Sequence, residues 1–145
     1  MKISANFKSE EFLHPDLVKY CDDRGYDHRW FINKRLVMFC EWLREKCEGE
    51  AVVINNWSWG GRLDDAGLRI CGTDTGATHS QHKYKSAVDI HVSGYSTTQL
   101  REIVVENFTY VNKVFDITTI EKISKTPTWL HVDTRWTGKD YLLEV

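Results

Sequence analysis

Residues 86–92 (SAVDIHV) alternate between apolar and polar side chains, and they decide the fold class. The valines and the isoleucine fall on one face of a strand and Asp89 falls on the other, because successive side chains of a strand point to opposite faces. Residues 129–135 (WLHVDTR) repeat this pattern, with His131 and Asp133 on the polar face. The two segments therefore predict two strands that are apolar on one face and carry polar groups on the other.

The segments before and between these strands predict helices and further strands. Pro15 is well placed as the first residue of a helix, and the apolar side chains of residues 30–47 recur at helical spacing, which predicts the main helix. Residues 51–54 (AVVI) predict a short buried strand, and Ser96 opens an S-T-T-Q capping box that predicts another helix. Residues 117–123 (ITTIEKI) alternate like a strand and are expected to form a hairpin with the second strand quoted above.

One segment has no clear period. Residues 55–79 hold five glycines and predict a long irregular loop. The tryptophans within it indicate that the loop is ordered. A chain of 145 residues has the usual size of one domain. We therefore predict a single α+β domain over residues 1–145, with N-terminal helices packed on a small, mainly antiparallel sheet.

The composition limits the classes of function. Lys and Arg total 19 and Asp and Glu total 21, and without a basic excess we expect no nucleic-acid partner. No run of 18 apolar residues exists, so no membrane insertion is expected. The four cysteines, Cys21, Cys40, Cys47 and Cys71, include no C-x-x-C pair, and we expect reduced, mostly buried thiols.

Three side chains on or near the two strands are of the types that a catalytic zinc site uses. His82 precedes Asp89 by seven residues, and His131 lies on the distant strand. A catalytic zinc ion takes three protein ligands and leaves its fourth position to water. Spacing alone leaves two interpretations open: three converging metal ligands, or a surface histidine beside a solvent-facing strand acid.

The residues around these positions resemble a known peptidase family. Residues 79–90 (HSQHKYKSAVDI) are similar to the S-x-H-x-x-G-x-A-x-D-I motif of the M15 family of zinc D-alanyl-D-alanine peptidases. Residues 129–135 resemble its second motif, an aromatic or apolar residue followed by HVDTR. The resemblance implies that His82, Asp89 and His131 bind one Zn²⁺ ion.

The same resemblance implies a function and a substrate. Members of the family are zinc metallopeptidases that hydrolyse bonds of the peptidoglycan stem or cross-link, and phage endolysins are prominent among them. D-Ala-D-Ala carboxypeptidase, L-Ala-D-Glu endopeptidase and D,D-endopeptidase activities all stay open here. We expect a monomer whose partner is the peptidoglycan peptide. The first residues (MKISANFKSEEF) have no apolar segment of a secretory signal, so the expectation is synthesis in the cytoplasm and action on the cell wall after release or delivery by another component.

Three further side chains are candidates for catalytic roles. In several relatives an acid three residues before the last histidine serves as general base, but Thr128 occupies that position here. Asp133, on the strand face of His131, and Glu121, on the preceding strand, are the substitutes. The alternative for Asp133 is to orient a ligand histidine or pair with a neighbouring arginine. Arg62 resembles the family's loop arginine, which holds a substrate carboxylate or stabilises an oxyanion. An exposed side chain without a role is the alternative for both Glu121 and Arg62.

Two departures from the family pattern keep a second function open. Lys85 stands where the family has glycine, and Thr128 stands where several relatives have the acid. The alternative function is a catalytically inactive, zinc-stabilised cell-wall-binding or virion structural module of the same fold. A nuclease with the same ligands is a third class, against which the near-neutral charge argues. Extra side chains that either line the cleft or pack structurally are His79, His91, Trp57, Trp59, Trp129 and Trp136.

Overall fold

The computed structural model describes residues 1–70 and 77–145, which form four α-helices and one five-stranded sheet. The helices are α1 (Pro15–Arg24), α2 (Lys34–Lys46), α3 (Thr97–Glu106) and α4 (Phe108–Phe115). The strands are β1 (Val52–Val53), β2 (Ala87–Val92), β3 (Thr119–Ile120), β4 (Leu130–Asp133) and β5 (Leu143–Glu144). Short 3₁₀ turns lie at Ser9–Glu11, His28–Phe31, Trp57–Trp59 and Gln81–Tyr84. The predicted α+β class is confirmed.

The main helix is shorter than predicted. It was expected over residues 30–47 but begins only at Lys34, because the Asn33 side chain accepts the backbone N–H of Arg35 and caps the helix there. Residues 28–31 form a separate 3₁₀ turn instead. The polar cap, which interrupts the apolar period, therefore sets the start of the helix.

Besides the N-terminal helices, the structure has the helix predicted after Ser96 and one further helix. Ser96 and Gln99 form the predicted capping box at the start of α3. The helix ends at Glu106, and α4 follows directly after Asn107 as a second helix that the apolar pattern did not separate from the first. Two helices thus precede β2 and two lie between β2 and β3.

β4 lies at the centre of the sheet, whose strand order is β1-β2-β4-β3-β5. Three of the four pairings are antiparallel, and β3 and β5 run parallel. The sheet is therefore mixed, though mainly antiparallel as predicted. The parallel strand β5, which has two residues, was not predicted from the sequence. The predicted hairpin exists, with Thr119 opposite Asp133, but its first strand covers two residues instead of residues 117–123.

One face of the sheet is apolar and belongs to the core. Val88 lies opposite Val132 and Ile90 lies opposite Leu130, so these side chains share a face. They are buried in one cluster with apolar side chains of three helices. The helical members include Leu36, Phe39 and Leu43 of α2, Leu100 and Val104 of α3, and Val111 and Phe115 of α4. The opposite face, free of this cluster, carries the polar side chains.

A hydrogen-bond chain that runs from the buried Ser9 and His28 to the exposed Asp22 anchors the N-terminal segment. Nδ1 of His28 lies 2.8 Å from Oγ of Ser9, and Nε2 of His28 lies 3.0 Å from Oδ1 of Asp22. Ser9 has no exposed surface, so no substrate reaches this serine, histidine and aspartate. The chain ties the first 3₁₀ turn, α1 and the second 3₁₀ turn together.

The three described cysteines agree with the sequence expectation. Cys21, Cys40 and Cys47 are buried free thiols, and Cys71 lies outside the described residues. Burial raises the pKa of the Cys40 thiol, which keeps it protonated and unreactive. Across the two described stretches, every helix is too short or too polar to cross a membrane.

Candidate metal centre

His82, Asp89 and His131 converge on one point at the polar face of the sheet. Nδ1 of His131 lies 2.7 Å from Oδ1 of Asp89 and 3.3 Å from Nε2 of His82. Nε2 of His82 lies 3.3 Å from Oδ2 of Asp89. All three side chains are buried, and one ligand atom from each lies within 4.8 Å of the others.

These separations fit a tetrahedral ion. Two ligand atoms that each lie about 2.0–2.1 Å from a tetrahedral centre are about 3.3 Å apart. Two of the three measured separations have this length. Two imidazoles and one carboxylate are also a donor set used in catalytic zinc sites. The structure thus brings together the three ligands that were predicted, and the group is able to hold a metal ion.

Strand register positions two of the ligands. Asp89 on β2 lies directly opposite His131 on β4, so their side chains leave the sheet on the same face. His82 comes from the 3₁₀ turn Gln81–Tyr84, which leads into β2. The turn ends at Lys85, which adopts a left-handed conformation with φ of 51°. Lysine therefore takes here a conformation that glycine adopts without strain.

A backbone carbonyl fixes the orientation of His82. Nδ1 of His82 lies 2.8 Å from the carbonyl oxygen of Gly67, and because that oxygen can only accept, Nδ1 carries the proton. The lone pair is then on Nε2, the atom that faces Asp89 and His131. A Cβ atom on Gly67 would lie 2.3 Å from the carbonyl oxygen of Phe12. Glycine is required for this close approach.

A carboxylate orients the other histidine. Nε2 of His131 lies 3.4 Å from Oδ2 of Asp133, which leaves Nδ1 for the shared centre. Asp133 has no exposed surface, and the guanidinium of Arg135 holds it at 2.9 Å and 2.5 Å. Asp133 is not among the residues that line the cavity described below. Of the two roles expected for Asp133, this geometry favours orienting His131 and pairing with Arg135.

Sequence reasoning chose a different arginine from the one that reaches the ligands. Nη2 of Arg69 lies 3.2 Å from Oδ2 of Asp89, and its Nε donates to the carbonyl oxygen of Asp65 at 2.7 Å. Arg62 is exposed and does not line the cavity. Both arginines belong to the same irregular loop, and the sequence held no signal to choose between them.

The ligands shift one another's pKa in opposite directions. Burial alone would raise the pKa of the Asp89 carboxyl, but hydrogen bonds from His131 and His82 outweigh it and hold that pKa well below its ordinary value. Burial alone would lower the pKa of His131, but hydrogen bonds to Asp133 and Asp89 outweigh it and raise that pKa to about 9. In the metal-free protein the raised pKa favours the protonated, cationic form of His131 at neutral pH.

A cavity of about 520 Å³ opens over the three ligands. Glu121 lines it, and the backbone N–H of Glu121 donates to the carbonyl oxygen of His131 at 3.2 Å. This pairing continues the β3–β4 ladder, so Glu121 and His131 leave the sheet on the same face. The negative charge of Glu121 also adds to the raised pKa of Arg135, after the larger effect of the hydrogen bond to Asp133. Among the residues that the structure describes, Glu121 is thus the acid outside the metal group that both lines the cavity and lies beside His131.

The other side chains considered for the cleft divide into two groups. His79 and Trp129 line the cavity. His91, Trp57, Trp59 and Trp136 do not. Trp57 instead packs at the loop, where its indole N–H donates to the carbonyl oxygen of Leu13 at 3.1 Å.

Comparisons of the chain with protein-family models, with curated proteins and with solved structures give no match. The case for a function therefore rests on the geometry of the site and on the two sequence motifs.

Proposed function

We propose that this protein is a zinc-dependent peptidase that hydrolyses a peptide bond in the stem or cross-link of peptidoglycan, of the kind that phage endolysins carry. The observation that carries the proposal is the buried group of His82, Asp89 and His131, in which each histidine has its remote nitrogen tied to an acceptor and its near nitrogen aimed at one centre. A purely structural cluster has no need of an open cavity above it, and here a cavity of about 520 Å³ lies there.

The chain itself supplies the zinc ligands and their support. His82, Asp89 and His131 would hold the ion, and a zinc ion in this place polarises a peptide carbonyl and lowers the pKa of a water molecule. The carbonyl oxygen of Gly67 and the carboxylate of Asp133 keep the two imidazoles in the tautomers that ligation requires.

Glu121 is the proposed general base. Glu121 directly follows β3, lies beside His131 and faces the cavity, whereas Asp133 is buried and paired with Arg135. As base, Glu121 takes a proton from the attacking water, and as acid it returns that proton to the departing amine. Several members of the family that the chain resembles carry an acid at the position of Thr128. Since threonine cannot act as the base, we assign that role to Glu121.

Two arginines give the cavity positive charge near the reacting bond. Arg69 holds the Asp89 carboxylate and Arg135 holds the Asp133 carboxylate, and both line the cavity. Their fixed N–H groups orient a bound peptide and favour negative charge that develops on its carbonyl oxygen.

The test is digestion of purified bacterial cell walls by the zinc-loaded protein, followed by mass spectrometry of the soluble products. We expect new amino termini at one position of the stem or cross-link, and their loss in EDTA and in the His82→Ala variant. The His91→Ala variant is the matched control, since His91 lies on the same strand as Asp89 but outside the cavity lining. Cleavage that survives both EDTA and His82→Ala would contradict the proposal.

The same experiment addresses the inactive module expected as the alternative. Zinc bound at one ion per chain, retention on the cell wall and no product after long incubation would favour that function. The left-handed conformation of Lys85 keeps the turn before β2, so Lys85 itself gives no support to an inactive site.

A further inference from the structure

Three aromatic rings form an exposed row on the N-terminal part of the molecule, outside the lining of the cavity. The side chains are Tyr20, Tyr26 and Trp30, which are 43%, 39% and 63% exposed. Ring centroids lie 5.9 Å apart between the tyrosines and 5.7 Å apart between Tyr26 and Trp30. We call this row the aromatic strip. Contiguous apolar surface that is exposed to solvent often marks an interaction site, and aromatic side chains are enriched in such sites.

The strip is held rigidly. Tyr20 lies on α1, Tyr26 follows the left-handed Gly25 that ends α1, and Trp30 lies in the 3₁₀ turn that contains His28. The hydrogen-bond chain of Ser9, His28 and Asp22 fixes that turn against α1. A ligand that binds here has little side-chain freedom to remove, which favours affinity.

The turn that carries Trp30 contacts the end of the turn that carries His82. The carbonyl oxygen of Trp30 accepts a hydrogen bond from Nζ of Lys85 at 3.0 Å. The neighbouring Tyr84 is exposed, and its hydroxyl lies 3.4 Å from Nδ1 of His79, which lines the cavity. Tyr84 and Lys85 therefore lie between the cavity-lining His79 and the turn that carries Trp30.

The charge of the strip indicates a neutral ligand. Residues 19–30 hold three Lys or Arg and three Asp side chains. Lys19 pairs with Asp23 at 2.7 Å and Arg29 pairs with Asp27 at 2.5 Å. Arg24 lies over the Tyr20 ring, 4.0 Å from its centroid, and Lys85 adds one further positive charge beside Trp30. A single-stranded nucleic acid needs a basic groove beside its stacked bases, and four cations against three carboxylates do not form one. Sugar rings suit it, because they offer an apolar C–H face to an aromatic ring and hydroxyls to polar groups around it.

We propose that the aromatic strip binds a neutral saccharide chain, the glycan strand to which the stem peptide is attached. That identification of the polymer rests on the proposed function. The strip is a second binding site, outside the cavity, and it holds the polymer while the peptide reaches the metal centre. Trp30 makes the largest contribution because it is the largest and most exposed of the three rings.

The experiment measures saccharide binding independently of hydrolysis. The full chain, zinc-loaded, is titrated with the hexamer of N-acetylglucosamine and followed by NMR, and its co-sedimentation with purified cell walls is measured in parallel. The Trp30→Ala variant is expected to lose about ten-fold in affinity for both probes, and Trp30→Phe, which keeps a ring, is expected to retain most of it. Trp59→Ala is the matched control, since Trp59 is 56% exposed in another 3₁₀ turn and lies outside the strip.

Hydrolysis gives a second readout. The ratio of cell-wall cleavage to cleavage of a soluble stem peptide is expected to fall about ten-fold in Trp30→Ala and to stay unchanged in Trp59→Ala. Zinc content and thermal unfolding, measured for every variant, identify one that fails to fold, and Tyr26→Ala then replaces it.

The outcomes separate this inference from the proposed function. Absence of hexamer binding by the wild type, or an equal loss in Trp30→Ala and Trp59→Ala, overturns the inference even if the stem peptide is cleaved. Hexamer binding that depends on Trp30, in a protein that cleaves no peptide, supports the strip and overturns the peptidase.

Discussion

Asp89 and His131 face each other across β2 and β4, with Oδ1 of Asp89 2.7 Å from Nδ1 of His131. The pair belongs to two strands that are antiparallel neighbours, so the register of the sheet sets the distance between two of the three ligands. His82 completes the group from the turn that leads into β2.

Removing any one ligand is expected to abolish specific zinc binding. His82→Ala, Asp89→Asn and His131→Ala each leave two donors, which weakens binding by about 100-fold or more since two ligands do not form a catalytic zinc site. Isothermal titration with zinc measures this loss. His79→Ala, which changes a cavity-lining histidine outside the group, is expected to bind one ion like the wild type. Equal weakening in His79→Ala would contradict the ligand assignment.

Zinc affinity is expected to rise with pH through the neutral range. The pKa of His131 is raised from 6.5 to about 9 in the metal-free protein, so a proton must leave Nδ1 before that atom can bind a metal. Below that pKa, affinity rises by about ten-fold per pH unit for the one proton released. Titrations between pH 6 and 8, in buffers of different ionisation enthalpy, count the protons. Affinity independent of pH would show that His131 is neutral in the free protein.

The stability of the metal-free protein is expected to fall at alkaline pH. Because the folded pKa of His131 lies above its unfolded value, its contribution to stability is complete below pH 6.5 and is lost as the pH rises through about 9. The lowered pKa of Asp89 acts in the opposite direction, and its contribution is lost as the pH falls below 3.8. Urea unfolding in EDTA at a series of pH values tests both signs.

Glu121 and Asp133 are expected to fail in different ways when they are changed. Glu121→Gln removes the proposed base and should lower kcat by about 100-fold or more while zinc binding stays intact. Asp133→Asn removes the acceptor that orients His131 and should weaken zinc binding by about 10- to 100-fold. Zinc titration and cell-wall hydrolysis, measured on both variants, separate the two roles. An active Glu121→Gln variant would remove Glu121 from the mechanism.

Gly67→Ala is expected to disturb the metal centre from a distance. The added Cβ meets the carbonyl oxygen of Phe12 at 2.3 Å, and the backbone that must shift carries the carbonyl that orients His82. Stability should fall by about 1–3 kcal/mol and zinc affinity by about ten-fold. Gly94→Ala is the control, since Gly94 has a φ of 79° and no atoms near its added Cβ, and it should cost stability without changing zinc affinity.

Lys85→Gly is expected to leave the metal centre unchanged. Glycine adopts the φ of 51° without the strain that lysine bears there, and the lost hydrogen bond to Trp30 is exposed. The free energy of unfolding should change by no more than about 1 kcal/mol, and zinc affinity should match the wild type. A large change in zinc affinity would show that the lysine shapes the ligand loop.

The strand alternation and the family resemblance together were enough to predict the group of His82, Asp89 and His131, but not all of the contacts that support it. His82, Asp89 and His131 stand in motifs of fixed spacing, and the alternation of β2 and β4 correctly placed Asp89 and His131 on the polar face. Arg69 could not be chosen over Arg62, because the irregular loop that carries both has no period from which a direction follows. The contact between Arg69 and Asp89 depends on the tertiary structure and not on the local sequence.

The edges of the fold escaped prediction for a similar reason. β5 has two residues and pairs in parallel with β3, and a segment of that length gives no alternation to detect. Residues 97–115 have apolar side chains that suit one helix or two, and only the cap geometry at Asn107 separates α3 from α4.

The central place of β4 in the sheet has a consequence for when the site can be made. His131 lies 49 residues beyond His82, and until the ribosome has synthesised residues 130–133 neither β2 nor β3 has its neighbour on that side. A nascent or shortened chain that stops before β4 offers one histidine and one carboxylate, which compete poorly for an ion. The proposed zinc ion would therefore meet its full set of ligands only after β4 has been synthesised.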